Sequence, residues 1–187
     1  MASSNSIMQD MVVIRRPESV PLGFQFKPAD EDLVLEYLKK KIENPGGFHV
    51  EFMPDAIIYD CHPEHLLYTY GFSEGNKDAY LFSRIEKKFG HGDRANRVVK
   101  DGSGLWNKST SKKPVKGVDG RVIGHKSGLV FFTGQKKSKD GKTNWLMEEY
   151  EISEEEAGCS GMKPYPYELA LCHIYENVQD KNQEKGD

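Results

Sequence analysis

Between residues 79 and 175 the sequence is cut into short apolar runs, at 79–84, 121–123, 129–133, 143–152 and 168–175, rich in Val, Ile, Phe, Tyr and Trp. Gly90, Gly92, Gly102, Gly104, Gly117, Gly120, Gly134 and Gly141 stand in the stretches between them. β-Branched and aromatic side chains suit a half-buried pleated surface, and glycine supplies turn conformations that other residues resist. Runs this short, bounded in this way, predict an antiparallel sheet connected by hairpins. Ahead of them, Asp30, Glu31 and Asp32 precede Leu33, Val34, Tyr37, Leu38 and Ile42 at helical spacing, and Asn44, Pro45 and Gly46 end the pattern. This predicts one amphipathic helix whose first-turn acids complement its dipole. Residues 53–70 predict a short helical or turn region packed on the core.

A chain of 187 residues suffices for one domain with a real core and is short for two. Residues 1–20 show no clear period and predict a loose arm, and 178–187 a polar, mobile end. No run approaches the ~18 consecutive apolar residues of a membrane span, and residues 1–9 lack the apolar centre of a secretory signal, so an intracellular protein is expected. Cys61, Cys159 and Cys172 are odd in number and widely spaced, which argues against a disulfide framework. Trp106 and Trp145 are expected in the core.

The short motifs that suggest chemistry are incomplete. Cys61-His62-Pro63-Glu64-His65 gathers a thiol and two imidazoles, but a structural zinc site takes four ligands and no second Cys or His pair exists to complete it. Gly141-Lys142-Thr143 resembles the end of a phosphate-binding loop, yet Lys136 stands where that loop needs its first glycine. The signatures of a nucleophile elbow, a dinucleotide turn and a zinc-peptidase helix are missing from the sequence. The expectation is a non-enzymatic protein with no metal and no cofactor.

Charge is where the sequence speaks most directly about a partner. The chain carries a net charge of -3, but Arg84 to Lys142 holds 16 Lys or Arg against 5 Asp or Glu. A basic block in an acidic frame suits a protein that meets polyanionic phosphate on one face. The cations alternate with structure-forming residues: Arg84, Lys87 and Lys88 after one run, Arg94, Arg97 and Lys100 before Trp106, then Lys108, Lys112 and Lys113, with Lys136, Lys137, Lys139 and Lys142 in one hairpin loop. Arginine offers bidentate contacts to phosphate and guanine, and lysine a point charge that displaces counterions. The partner expected from this charge pattern is a nucleic acid.

Several blocks, in order, resemble the NAC family of plant transcription factors. They are Pro21-Leu22-Gly23-Phe24-Gln25-Phe26-Lys27-Pro28-Ala29-Asp30-Glu31-Asp32-Leu33, Tyr80-Leu81-Phe82-Ser83, Arg94-Ala95-Asn96-Arg97-Val98, Gly102-Ser103-Gly104-Leu105-Trp106, Leu129-Val130-Phe131-Phe132, Lys142 to Tyr150, and Leu171-Cys172-His173-Ile174-Tyr175. The match covers 21–177. The resemblance implies an α+β fold, a twisted antiparallel β-sheet flanked by a few short helices, acting in the nucleus on genes, with double-stranded DNA as the partner. It also implies a homodimer, or a heterodimer with other NAC proteins, formed through Pro21, Leu22, Gly23, Phe24, Gln25 and Asp32. Carried over by position, the strand entering the major groove spans Trp106 to Lys113, with base contacts from Asn107, Lys108, Ser109 and Thr110, while Arg84, Arg94 and Arg97 grip the backbone. Two departures stand out. Asn107-Lys108-Ser109-Thr110 replaces the family's Lys-Ala-Thr-Gly, and Gln25 and Asp32 replace its Arg and Glu. An interaction protein that pairs with an intact family member and modulates its DNA binding is the alternative expectation.

Overall fold

The computed structural model describes residues 26–72, 77–86, 97–134, 136–158 and 167–177. The expected arm, 1–20, and polar end, 178–187, lie outside them. Asp30–Asp32, Leu33–Lys39 and Lys40–Glu43 run on as one helix, α1, whose middle turns are wound as a π-helix. Acids fill its first turn as the sequence predicts, and Asn44, leaving helical geometry at φ -138°, ends it. A second helix, α2, spans Pro63–Thr69. Its N-cap is His62, which accepts from the Glu64 N–H, and Pro63 occupies the first turn, where a missing N–H costs nothing. The Cys61–His65 cluster is thus spent on starting a helix.

Among the described residues seven strands form one sheet: β1 Asp55–Ala56, β2 Asp78–Glu86, β3 Gly104–Lys108, β4 Lys113–Lys116, β5 Val122–Thr133, β6 Lys142–Ile152 and β7 Tyr167–Glu176. The order is β1-β2-β7-β6-β5-β3, with β4 also on β5. The architecture is α+β and mostly antiparallel, as expected. Three details correct the sequence reading. The runs at 121–123 and 129–133 are one strand, β5, and not two. The sheet is not built from hairpins throughout, since β2 pairs with β7 across the chain and β1 joins β2 in parallel. The segment 106–113 is not one continuous strand, because β3 stops at Lys108 and β4 starts at Lys113.

Alternation along the strands gives the sheet two faces, each with its own apolar cluster. Ala79, Leu81, Trp106, Leu129, Phe131, Trp145, Met147, Cys172 and Ile174 bury themselves with Leu66 and Leu67 of α2. Tyr80, Phe82, Val115, Ile123, Tyr150 and Leu171 do so with Leu33, Val34 and Leu38 of α1. Both tryptophans belong to the core, with 1% of Trp106 and 4% of Trp145 exposed.

On the α1 side, β7 presents His173 between the rings of Tyr80 and Tyr175, at centroid distances of 4.2 and 4.7 Å. Its Nε2 donates to Asp78 Oδ1 at 2.9 Å, and its Nδ1 faces Glu148 Oε2 at 3.6 Å. Burial pulls the His173 pKa down, but the two carboxylates more than offset this and raise it. In turn His173, against the opposing effect of burial, holds the Glu148 carboxyl down to about 2. A histidine with a raised folded-state pKa contributes stability that is whole below its unfolded value of about 6.5 and is lost as pH climbs through the folded value. The difference in unfolding free energy between the wild type and His173→Phe, which keeps the ring stack, is therefore expected to shrink from pH 5.5 to pH 8.5. Urea titrations at both pH values check this, and a difference independent of pH would count against it.

Candidate nucleic-acid interface

The approach to β3 is fixed by its own backbone. Val98 bridges to Leu105, Val99 N–H donates to Gly104 O at 3.0 Å, and Trp106 N–H donates to Arg97 O at 2.8 Å, so 97–106 closes as a tight hairpin. At Gly104 a Cβ would lie 2.2 Å from Phe132 O, and only glycine fits this crossing. Asp101 organises the turn. Its Oδ1 accepts from the N–H and the hydroxyl of Ser103, at 2.8 and 2.7 Å, and its Oδ2 accepts from His62 N–H. The Ser103 backbone hydrogen bond, first among these contacts, lowers the Asp101 pKa.

Beyond Lys108 the edge of the sheet is distorted. Lys108 pairs with Leu129 and Lys113 with Lys126, so four residues, 109–112, lie opposite only two of β5, Ser127 and Gly128. The excess chain bulges out from the edge. Ser109 and Thr110 N–H groups both donate to Gly128 O, at 2.8 and 3.3 Å, and the Thr110 hydroxyl accepts from Gly128 N–H at 2.8 Å. A Cβ at Gly128 would meet Thr110 Oγ1 at 3.0 Å, so glycine lets the bulge settle this close. Asn107 is half-buried and its Nδ2 donates to Lys108 O.

The cations expected from the sequence stand in different settings. Lys108 and Lys113 are exposed on either side of the bulge and have no ion-pair partner among the described residues. Lys136, Lys139 and Lys142 are exposed in and beside the β5–β6 connection, likewise unpaired among the described residues, and Lys137 Nζ lies over the Phe132 ring at 5.8 Å. That connection abuts the head of β3 through Gly134 N–H and Ser103 O, at 2.9 Å. These lysines therefore share one edge. Lys112 belongs to the bulge but pairs with Glu151, and Lys100 pairs with Asp60 at 2.9 Å. Arg84 is exposed on β2, four strand steps from β3, or ~19 Å at the usual strand spacing. Lys87, Lys88 and Arg94 lie outside the described residues, as do Pro21, Leu22, Gly23, Phe24 and Gln25. Asp32 is exposed at the start of α1.

Arg97 differs from expectation. Its guanidinium turns inward, with Nη2 2.7 Å from Oε1 of Glu149, a carboxylate only 1% exposed. The other Glu149 oxygen accepts from the Tyr59 hydroxyl at 3.1 Å. Burial pushes the Glu149 pKa up, against the attraction of Arg97. The guanidinium is thus engaged with a buried carboxylate, and 18% of the Arg97 side chain stays exposed. Glu149, Tyr59 and Asp101 escaped the sequence reading, although a signal for one existed. Trp145, Met147 and Glu149 alternate on the buried face of β6, and an acid in that series implies a buried cationic partner.

Among the described residues no group of three or more His, Cys, Asp or Glu is placed to hold a metal ion, and no helix is long and apolar enough to cross a membrane. The family model described as No apical meristem (NAM) protein matches residues 21–152. The chain is 36% identical to NAC domain-containing protein 72 of Arabidopsis thaliana over 168 residues, which is 89% of the chain and 53% of that protein. It is 38% identical to NAC domain-containing protein JA2L of Solanum lycopersicum over 160 residues, 84% of the chain and 42% of that protein. To NAC domain-containing protein 54 of Oryza sativa subsp. japonica it is 33% identical over 162 residues, covering 87% of the chain and 24% of that protein. The chain spans about half the length, or less, of these relatives.

Proposed function

The chain belongs to the NAC domain family, and on that premise we propose that it regulates transcription in the plant nucleus by binding double-stranded DNA sequence-specifically, with no catalytic activity of its own. The observation that carries the reading is the bulged basic edge. Along β5 the bulge is flanked by the 134–142 lysines on one side and Lys113 on the other. At ~3.4 Å per residue, the register from Leu129 to Thr133 spans ~14 Å and from Leu129 to Lys126 ~10 Å. Together they set the two flanks ~24 Å apart, wider than the ~12 Å major groove, so a bulge entering the groove would leave cations beside the phosphates on both of its rims. Ser109, Thr110, Asn107 and Lys108 then face base edges, while Lys112, Lys113, Lys136, Lys137, Lys139 and Lys142 meet phosphate. Phosphate contacts position a protein and base contacts specify the sequence.

Dimerisation, with itself or another family member, is assigned to 21–25 together with Asp32. Asp32 stands exposed where such an arm would start from α1.

The two kinds of contact are separable by substitution. Lys139→Ala is expected to weaken all duplexes alike, whereas Lys108→Ala reorders them, with ~1–3 kcal/mol lost on the preferred sequence. Competition gel shifts on duplexes recovered from a randomised-site selection read both effects. Selection that yields no preferred sequence from the wild-type chain would sink the proposal, and a uniform loss in Lys108→Ala would move Lys108 to the phosphate group.

A further inference from the structure

The bulge that the proposed reading assigns to the groove has little of its own to keep its shape. It is held to β5 through Gly128 and begins three residues past Trp106. Behind it sits a charge network that no binding role explains. Glu149 on β6 is paired across the strands with Ser127, one of the two β5 residues facing the bulge. The same carboxylate holds Arg97, whose carbonyl accepts the Trp106 N–H in the middle of β3. Its second oxygen holds Tyr59, and the Tyr59 carbonyl accepts from Lys100 N–H at 2.8 Å, in the turn leading to β3. The buried carboxylate thus reaches the approach to the groove segment by two routes, through the 97–106 hairpin and through the 59–62 loop, while the Glu149 backbone lies across from Ser127 on β5.

The geometry points to Glu149 as a positioning residue for DNA reading: with Arg97 and Tyr59 it sets the placement of β3 and the 109–112 bulge, and it touches no DNA. This rests on the DNA-binding reading above and adds to it a residue that sequence specificity depends on. The physical basis is that a recognition group must be held within fractions of an ångström by the layer behind it, and that removing one partner of a buried ion pair leaves the other uncompensated. Arg97 then acts through Glu149, and its loss removes no phosphate contact.

The test uses the whole chain with Glu149→Gln, which keeps the side chain's shape and a carbonyl acceptor while removing the charge, and with the milder Tyr59→Phe, which removes one hydroxyl. Glu149→Gln is expected to lower the ratio of preferred-duplex to random-duplex affinity about tenfold, with the salt dependence of binding unchanged because no phosphate contact is lost. Tyr59→Phe shifts the ratio in the same direction by less. In the free protein, hydrogen exchange at Leu105–Lys108 is expected to speed up, with Leu171–Ile174 of β7 unaffected. Uniformly faster exchange across the sheet, or a loss of affinity that spares the ratio, would overturn the assignment and leave Glu149 a general stabiliser. A salt slope made shallower by Arg97→Ala would overturn it too, by returning that guanidinium to phosphate. A wild-type chain with no preferred duplex defeats the DNA reading itself, and exchange at Leu105–Lys108 still decides whether Glu149 positions the strand.

Discussion

Replacing Trp106 with alanine is expected to lower the unfolding free energy by about 3–5 kcal/mol, the usual cost of emptying a large aromatic site in a core. Only 1% of the side chain is exposed, and its ring meets Phe131 edge-on, with centroids 5.2 Å apart. Phe131 is also its register partner on β5. The indole Nε1 is buried with no hydrogen-bond partner among the described residues, so the loss is one of packing and cavity formation. A domain of this size is stable by ~5–15 kcal/mol in total, so the substitution removes a large share. Urea unfolding should show a lower midpoint at an unchanged slope, and Trp106→Phe, which keeps a ring against Phe131, should recover much of the difference. A Trp106→Ala midpoint within error of the wild type would mean that the ring is not packed as described.

What the sequence shows in advance and what it conceals follow from how local each signal is. The helix α1 is legible because its acids, apolar spacing and stop all lie within seventeen residues, 30–46. The long strand β5 reads as two pieces because Gly124, His125, Lys126, Ser127 and Gly128 interrupt its apolar run. The interruption has a tertiary cause. A Cβ at Gly124 would lie 2.5 Å from Glu151 O of β6 and 3.2 Å from Val34 of α1, and one at Gly128 would press on Thr110, so the neighbouring strand, the helix and the bulge all need β5 bare at those points. Strand β4 is invisible in advance since it consists of two lysines, a proline and Val115, of which only the valine is buried. An edge strand tolerates such a proline.

The basic block is legible by composition alone as a face suited to a polyanion, but composition cannot say which way a cation faces. Arg97 is claimed by Glu149, 52 residues away, and Lys126 by Asp30, 96 residues away. Neither pairing leaves a trace near the cation. The adjacent acids Glu148 and Glu149 point to opposite faces of the sheet, one to His173 and one to Arg97, and that division follows from strand pleating once β6 is recognised.

Affinity for duplex DNA is expected to fall about a thousandfold to ten-thousandfold between 50 and 200 mM salt, the largest effect anticipated for this protein. The chain as a whole has a net charge of -3, so long-range attraction to DNA must come from local density. Lys108, Lys113, Lys136, Lys139 and Lys142 are exposed along one edge without ion pairs among the described residues, and Lys112 is held only by a half-exposed pair with Glu151. Lysines already committed to carboxylates release few counterions on binding, whereas each free one that neutralises a phosphate steepens the plot of log affinity against log salt by ~0.9. With roughly five to eight such contacts the slope should lie between about -5 and -7. Lys136→Ala and Lys139→Ala should each flatten it by ~0.9, because each removes one phosphate contact and leaves the fold intact. Fluorescence-anisotropy titrations at a series of salt concentrations measure the slope directly. A wild-type value shallower than about -2 would mean that the basic edge does not lie against the phosphates, whatever sequence the bulge reads.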